Sequence, residues 1–171
     1  MEYFNVELLN ALKKDGFTTL ATAYENCKDI DVGFKRCGNA LVALRLPARD
    51  ETTFGRFVHN PSHAKFRAKY IPEVLFVYNV ETDKMIPKIL HHWQGIAIVY
   101  EVGKQAHPDK YDPEKDNVCS HGIHFYLTLE SVICYDPYTG CSFGDNVGPL
   151  TYYQFQNVIK HCIVKLKCEK K

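Results

Sequence analysis

Apolar residues at helical spacing mark the beginning of the chain. Phe4, Leu8 and Leu12 fall on one face of a helix. Two lysines and then Gly16 follow, which is the order typical of a helix C-terminus. The pattern therefore predicts an amphipathic helix near the N-terminal end.

Four short apolar runs predict β-strands, because each is rich in Val, Ile, Phe or Tyr and is short for a helix. The runs cover residues 41–47, 74–80, 95–100 and 122–128. In the last run, Ile123 and Phe125 alternate with His124 and Tyr126, so the two pairs should lie on opposite faces of a strand. Thr128 then offers a side-chain cap for a short helix.

The C-terminal third is patterned less regularly. Residues 136–149 are dense in Gly, Pro, Asn and Asp and predict a turn-rich connection. Thr151 and Gln154 have the spacing of a capping box, which predicts a helix. From Cys162 to Cys168, apolar residues alternate with lysines, which predicts a half-exposed strand.

Helices and strands are thus mixed along the chain without a regular βαβ period, and no glycine-rich phosphate loop follows a strand. We expect a single α+β domain over residues 1–171 around a mixed or largely antiparallel sheet. The N-terminal helix is joined in this prediction by short helices after the 122–128 strand and near the C-terminus.

Composition narrows the class of protein. The 171 residues are 46% hydrophobic and carry 21 basic against 20 acidic side chains, which excludes a disordered tail and a broadly basic duplex-binding surface. No apolar run approaches the roughly 18 residues of a membrane span, so we expect a soluble intracellular protein without membrane association. Seven cysteines form no CxxC pair, which favours reduced and mostly buried thiols.

Charge is nevertheless uneven along the chain. Residues 56–70, here named the basic-aromatic segment, combine cations with Phe and Tyr and contain no acid, whereas residues 101–116 are acidic. Rings and cations interleaved in this way suit a protein partner or single-stranded nucleic acid, in which bases stack and phosphates attract cations. The same composition suits an amphipathic helix that buries its rings in the core.

Two groups of motifs carry a family resemblance. The first is GFKRCG at residues 33–38 running into LVALRLPA at 41–48, followed by KFRAK at 65–69. The second is Tyr100-x-Val-Gly-Lys104, followed by PD at 108–109, YD at 111–112 and CSHGIHF at 119–125. Together they span residues 33–135 and resemble a domain of unknown function found in giant DNA viruses and phages. The 52–64 link is longer here than in that domain, and the pentapeptide-like repeats that often accompany it do not occur in these residues.

This resemblance implies a viral accessory or virion-associated protein in the host cytoplasm or the virion, and it brings no established reaction. Residues 122–135 also resemble the strand-then-helix element of ADP-ribosyltransferases and tRNA 2′-phosphotransferases. That likeness implies NAD as a cofactor, with Lys35, His124 and Glu130 as catalytic residues. The ligand-binding residues that it implies are Arg67, Lys65, Arg36, His121 and Tyr135. Glu130 has an equally good structural explanation, because acids are stabilised at helix starts.

A metal site is a further hypothesis. Cys119 and His121 lie close together with His124, and Cys134 or Cys141 could complete a zinc site. Strand periodicity argues against all three, because positions 121 and 124 should point to opposite faces. A buried thiol and hydrogen-bonded histidines are the structural alternative.

The leading prediction is therefore a non-enzymatic interaction module without a cofactor. The alternatives are an NAD-using transferase-like or phosphotransferase-like enzyme and a zinc-stabilised binding module. The cluster of His91, His92 and Trp93 is assigned to core or turn packing. Oligomeric state, substrate and partner identity stay open.

Overall fold

A computed structural model describes residues 3–58, 60–93, 95–134 and 152–171. The helices in these ranges are α1 (Val6–Lys14), α2 (Thr18–Glu25), α3 (Leu129–Ile133) and α4 (Tyr152–Glu169). The strands are β1 (Val32–Cys37), β2 (Ala40–Arg45), β3 (Lys65–Ala68), β4 (Glu73–Asn79), β5 (Lys84–Met85), β6 (Lys88–Trp93), β7 (Ile96–Glu101) and β8 (Ile123–Tyr126). None of the described helices has the length and apolar composition that a bilayer crossing requires.

The six-stranded sheet has the order β3-β8-β1-β2-β4-β5, and each neighbouring pair is antiparallel. The predicted α+β fold with a largely antiparallel sheet is therefore confirmed. Strands β6 and β7 form a separate antiparallel hairpin.

Two apolar cores lie on opposite faces of the sheet. On one face, Leu12 of α1 and Leu166 of α4 pack in one cluster with Phe34 of β1. On the other, Tyr100 of the β6–β7 hairpin packs in one cluster with Phe125 of β8. The sheet is thus covered by helices on one side and by the hairpin on the other, because its strands alternate apolar residues toward both faces.

The predicted N-terminal helix is confirmed as α1. The side chain of Asn5 accepts a hydrogen bond from the backbone N–H of Leu8 and so caps the first turn. Lys13 and Lys14 occupy the last turn, and Gly16 adopts a φ of +84°, a conformation that costs glycine little. The four predicted strands also appear, as β2, β4, β7 and β8.

The predicted helix after Thr128 is present as α3, but the Thr128 side chain does not cap it. Its hydroxyl instead donates to the carbonyl oxygen of Ser62. The turn-rich connection at 136–149 and the Thr151 capping position lie outside the described residues.

The predicted C-terminal strand is wrong, because residues 162–168 belong to α4. The buried members of α4 include Ile159, Ile163 and Leu166, whose spacing follows one helical face. Val164, which strand alternation would bury beside Cys162, is half exposed. The lysines at 165 and 167 create an apparent period of two within what is a helix.

Candidate functional site

A cleft of about 280 Å³ lies among β1, β3, β8, the segment that precedes β8, and the β6–β7 hairpin. Its lining is rich in cations and imidazoles and contains no carboxylate. The polar members are Lys35, Arg36, Lys65, His91, Cys119, His124 and Tyr126.

The cleft follows from the way in which β1 and β8 are paired. These two strands pair at Phe34 and Tyr126. Elsewhere β1 pairs with β2 over six residues, while β8 pairs with β3 over four. Beyond Phe34 the strands therefore follow different neighbours, and the Lys35 side chain bridges them by donating from Nζ to the carbonyl oxygen of His124 at 3.3 Å.

Lys35 is a half-buried cation in the cleft lining. Its Nζ lies 6.0 Å from the centroid of the buried Tyr100 ring. Burial lowers the pKa of the Lys35 ammonium, and the charge of Lys65 adds to this effect while Cys37 opposes it. An ammonium placed in this way gains stability from any anion that enters the cleft.

His124 is held in its neutral form. Burial lowers the pKa of its imidazole to about 3, and the positive charges of Lys35, Lys65 and Arg67 contribute in that order. A hydrogen bond with the backbone of Val118 acts in the opposite direction. At neutral pH the ring therefore carries no charge, and its single N–H is used in the hydrogen bond with the Val118 backbone.

His91, on the β6–β7 hairpin, lines the same cleft as His124 and is affected by the same lysine charge. Burial lowers its pKa to about 4, with further lowering by Lys35 and His92. His91 is paired across the hairpin with Ile98, and both side chains line the cleft. Two imidazoles on separate elements thus respond to one lysine, as expected for a site of positive potential.

A second lysine lies beside a thiol. Nζ of Lys65 is 3.1 Å from Sγ of Cys119. Cys119 is exposed and belongs to the segment that leads into β8, whereas Lys65 begins β3. This contact places a hydrogen-bonding thiol and an ammonium together in the lining.

Two arginines near the cleft have structural partners. Arg67 is only 1% exposed, makes an ion pair with Asp112 at 3.5 Å and donates to the carbonyl oxygen of Glu114. Arg36 makes an ion pair with Glu169 of α4. Arg36 is therefore partly neutralised at the cleft wall, and Arg67 affects the cleft through its charge on His124.

The residues proposed for a transferase are only partly brought together. Four of them share the lining of the cleft: Lys35, His124, Lys65 and Arg36. Glu130 is buried elsewhere and accepts a hydrogen bond from the side chain of Asn5. It borders a different pocket, which Ser62 and His63 also line. Tyr135 lies outside the described residues.

The hypothetical zinc ligands point to different partners. His121 is half-buried and pairs with Asp109 at 3.1 Å, and it is not part of the cleft lining. Cys119 contacts Lys65, and Cys134 contacts Cys162. Within the described ranges, no group of three or more His, Cys, Asp or Glu residues is arranged to hold a metal ion. Cys141 lies outside those ranges.

The basic-aromatic segment is not one helix, because it contains a short 3-10 turn and strand β3. Phe66 is buried in the core, and the Phe54 ring lies 5.3 Å from it. The Arg56 guanidinium lies 5.5 Å from the Phe66 ring centroid. Phe57, by contrast, is 87% exposed. The segment therefore places its rings in different environments rather than on one platform.

His91, Ile98 and Tyr126 are cleft residues that sequence patterns did not identify. Their placement depends on the hairpin folding back across the sheet and on the pairing of β8 between β1 and β3. The only local signal was the polar side of the alternating run 123–126, which carries His124 and Tyr126.

Comparison with known proteins places the chain in a family. The model of a family of unknown function, DUF5758, matches residues 17–132, which is more than half of the chain. All residues that line the cleft lie within the matched span. No curated protein and no solved structure matches the chain.

Proposed function

We propose that this chain, which belongs to the DUF5758 family of unknown function, is a binding module that takes a small phosphate-bearing ligand in its basic cleft. The observation that carries this proposal is the convergence of Lys35 and Lys65 on a cleft with no lining carboxylate. Phosphate oxygens accept charge-assisted hydrogen bonds from ammonium groups, and such bonds are roughly twice as strong as neutral ones.

The histidines support the same ligand class. His124 and His91 are neutral at physiological pH because burial and the lysine charges lower their pKa values to about 3 and about 4. Neutral imidazoles do not compete with the lysines for the counter-charge of an anion, although the N–H of His124 itself is used by the Val118 backbone. Such a combination favours an oxyanion over a cation.

The size of the cleft favours binding over NAD chemistry. Ligand pockets usually enclose about 300–1,000 Å³, and this cleft of about 280 Å³ lies at the lower limit. It suits a phosphate head group with a small attachment better than a complete dinucleotide. The position of Glu130 outside the cleft also removes the acid that a transferase reading requires.

The viral resemblance extends the proposal to a cellular setting. A viral accessory or virion-associated module of this kind would meet both free nucleotides and the phosphorylated ends of RNA in the host cytoplasm. Both sources present the same phosphate chemistry, so the experiment must separate them.

Calorimetric titration of the whole chain at fixed ionic strength tests the proposal. Inorganic phosphate, a nucleoside monophosphate and a 5′-phosphorylated single-stranded RNA are the probes, and Lys35→Met and Lys65→Met are the variants. We expect weaker binding in each variant, by about tenfold or more in Lys35→Met and by less in Lys65→Met, because a hydrogen bond to a charged group contributes about 1.5–3 kcal/mol and the Lys65 contact is exposed. Lys14→Met, an exposed substitution in α1, is the matched control and should bind like wild type.

Absence of binding by every probe at millimolar concentration would contradict the proposal, as would equal affinities in wild type and both variants. RNA binding without nucleotide binding would assign the phosphate to a polymer. Incubation with labelled NAD supplies the rival outcome: transfer or cleavage that His124→Ala abolishes would replace the binding module with an enzyme.

A further inference from the structure

A pair of cysteines lies at the contact between α3 and α4, away from the basic cleft. Cys134 follows the last turn of α3, and Cys162 lies 28 positions later within α4. Their Sγ atoms are 3.0 Å apart. Optimal non-bonded contacts between the smaller carbon atoms are about 3.5–4.0 Å, so these two sulfur atoms face each other with nothing between them.

The two thiols differ in accessibility. Cys134 is half-buried, whereas Cys162 is fully buried and its Sγ also lies 3.9 Å from the carbonyl oxygen of Glu130. The hydrogen bond with Cys134, followed by burial, raises the pKa of Cys162. One thiol is therefore accessible to a reagent and the other is protected but in reach of the first.

The other described cysteines lack this arrangement. Cys27 donates to the carbonyl oxygen of Ala23, Cys119 contacts Lys65, and Cys37 is buried. Cys168 is exposed near the end of α4. Among the cysteines that the structure describes, Cys134 and Cys162 are the pair in sulfur-to-sulfur contact.

We propose that Cys134 and Cys162 are a reversible disulfide site that joins α3 covalently to α4 when a small-molecule disulfide is present. A covalent S–S bond is about 2.05 Å long, so closing it from the observed 3.0 Å contact requires a movement of about 1 Å. Rotation about the two Cα–Cβ bonds is the motion that moves the sulfur atoms toward each other.

The reaction is thiol–disulfide exchange with oxidised glutathione as the oxidant. The Cys134 thiolate attacks one sulfur of the reagent, forms a mixed disulfide and expels one glutathione thiolate. Cys162 then gives up its proton, and its sulfur attacks the Cys134 sulfur and expels the second glutathione. Two protein thiols are oxidised to one disulfide, and one glutathione disulfide is reduced to two thiols.

The bond would add a covalent restraint where α4 now depends on packing and surface ion pairs. Lys167 pairs with Asp15 of the α1 end, and Glu169 pairs with Arg36 of β1. These contacts restrain the C-terminal end of α4, while Cys162 lies further back toward its middle. Closure of the long loop between the two cysteines also restricts the unfolded chain, which favours the folded state.

Peptide mapping of the native full chain tests the site. The protein is equilibrated with mixtures of oxidised and reduced glutathione, quenched with acid, alkylated with N-ethylmaleimide and digested. We expect a cross-linked peptide that contains Cys134 and Cys162, and the loss of two alkylated thiols. A Cys162→Ala variant should instead retain glutathione on Cys134, and Cys141→Ala should form the same cross-link as wild type.

Unfolding in urea gives a readout that does not depend on the variants. The oxidised wild-type chain should unfold at a higher urea midpoint than the reduced chain, and dithiothreitol should abolish the difference. The proposal is overturned if Cys134 stays alkylatable, keeps glutathione in the native wild type, or pairs with Cys141. Equal midpoints for mapped disulfide and dithiol forms would also overturn it, since the link would then not belong to the folded state.

Discussion

Nζ of Lys35 lies 3.3 Å from the carbonyl oxygen of His124, and this contact joins β1 to β8 at the point where the two strands part. The ammonium is held by a backbone dipole and faces the Tyr100 ring, with no carboxylate in the lining of the cleft. The charge state of His124 is therefore tied directly to Lys35.

Replacing Lys35 with Met removes the charge and keeps most of the side-chain length. We expect the pKa of His124 to rise from about 3, because Lys35 is the largest charge contribution after burial itself. The titration of the His124 ring protons by NMR measures the effect, and Lys14→Met should leave the titration unchanged. An unaltered pKa in Lys35→Met would show that the two groups do not interact.

Acid should destabilise the protein through His124. Its pKa is near 6.5 in the unfolded chain and about 3 in the folded state, so between these values the unfolded chain binds the extra proton. The contribution of His124 to stability is fully present above pH 6.5 and is lost as the pH drops, with a slope approaching about 1.4 kcal/mol per pH unit from this residue. Urea unfolding between pH 4.5 and 7.5 measures that slope.

The variant His124→Asn isolates this contribution, because carboxylates such as Asp112 also lose stabilising contacts in acid. Hydrogen bonding to Ser120 is the largest of several effects that hold the pKa of Asp112 well below its usual range. We expect a shallower slope in His124→Asn than in wild type. His161→Asn, on an exposed position of α4, should keep the wild-type slope, and a common slope for all three proteins would refute the assignment.

Glu130 should lower stability at neutral pH. Burial raises the pKa of its carboxyl group, so the unfolded chain loses the proton first and stability is lost as the pH rises above about 4.5. Glu130→Gln keeps an acceptor for Asn5 and removes the ionisation, and we expect a gain of about 1–2 kcal/mol at pH 7 that disappears near pH 4. Thermal unfolding at both pH values measures the gain.

Glu130→Leu is the complementary variant. It leaves the buried Asn5 side chain without its acceptor, which costs about 1–3 kcal/mol. A loss in Glu130→Gln as large as that in Glu130→Leu at pH 7 would mean that Glu130 acts as a stabilising carboxylate.

Gly122 shapes the entry into β8. It adopts a φ of +133°, and a Cβ there would lie 3.2 Å from the carbonyl oxygen of Ala68 and 3.2 Å from the Tyr111 ring. We expect Gly122→Ala to lower the free energy of unfolding by about 1–3 kcal/mol. Gly103→Ala is the matched control, since its φ is +76° but no atom lies within 4 Å of the new Cβ. If urea unfolding shows equal losses of stability in Gly122→Ala and Gly103→Ala, the close approach at Gly122 has no effect on stability.

Short-range patterns predicted much of the fold. Phe4, Leu8 and Leu12 predict α1 within three turns, and the alternation from Ile123 to Tyr126 predicts β8 within four residues. Residues 162–168 were wrongly predicted as a strand, because a seven-residue window with lysines at 165 and 167 fits both the strand period and the helical period. The longer helical spacing begins before that window, at Val158 and Ile159.

Local patterns identified some candidate residues of the cleft but not the long-range placement of the elements that carry them. Lys35, Lys65 and His124 were candidates because of their residue types and motifs, and they do converge. His91 was assigned to packing, since nothing local to residues 91–93 encodes which strand the hairpin will face. Glu130 was a candidate because the transferase resemblance implied an acid there, but the orientation of α3 turns it toward Asn5.

The order of the sheet has a consequence for how the chain reaches its folded state. β8 enters between β1 and β3, although both precede it in the sequence by more than fifty residues. During synthesis, β1 and β3 each present an open edge until β8 emerges, and pairing at such separations folds slowly. The cleft is therefore among the last features to form, and a chain stalled before residue 123 would carry the lysines without the strand that gathers them.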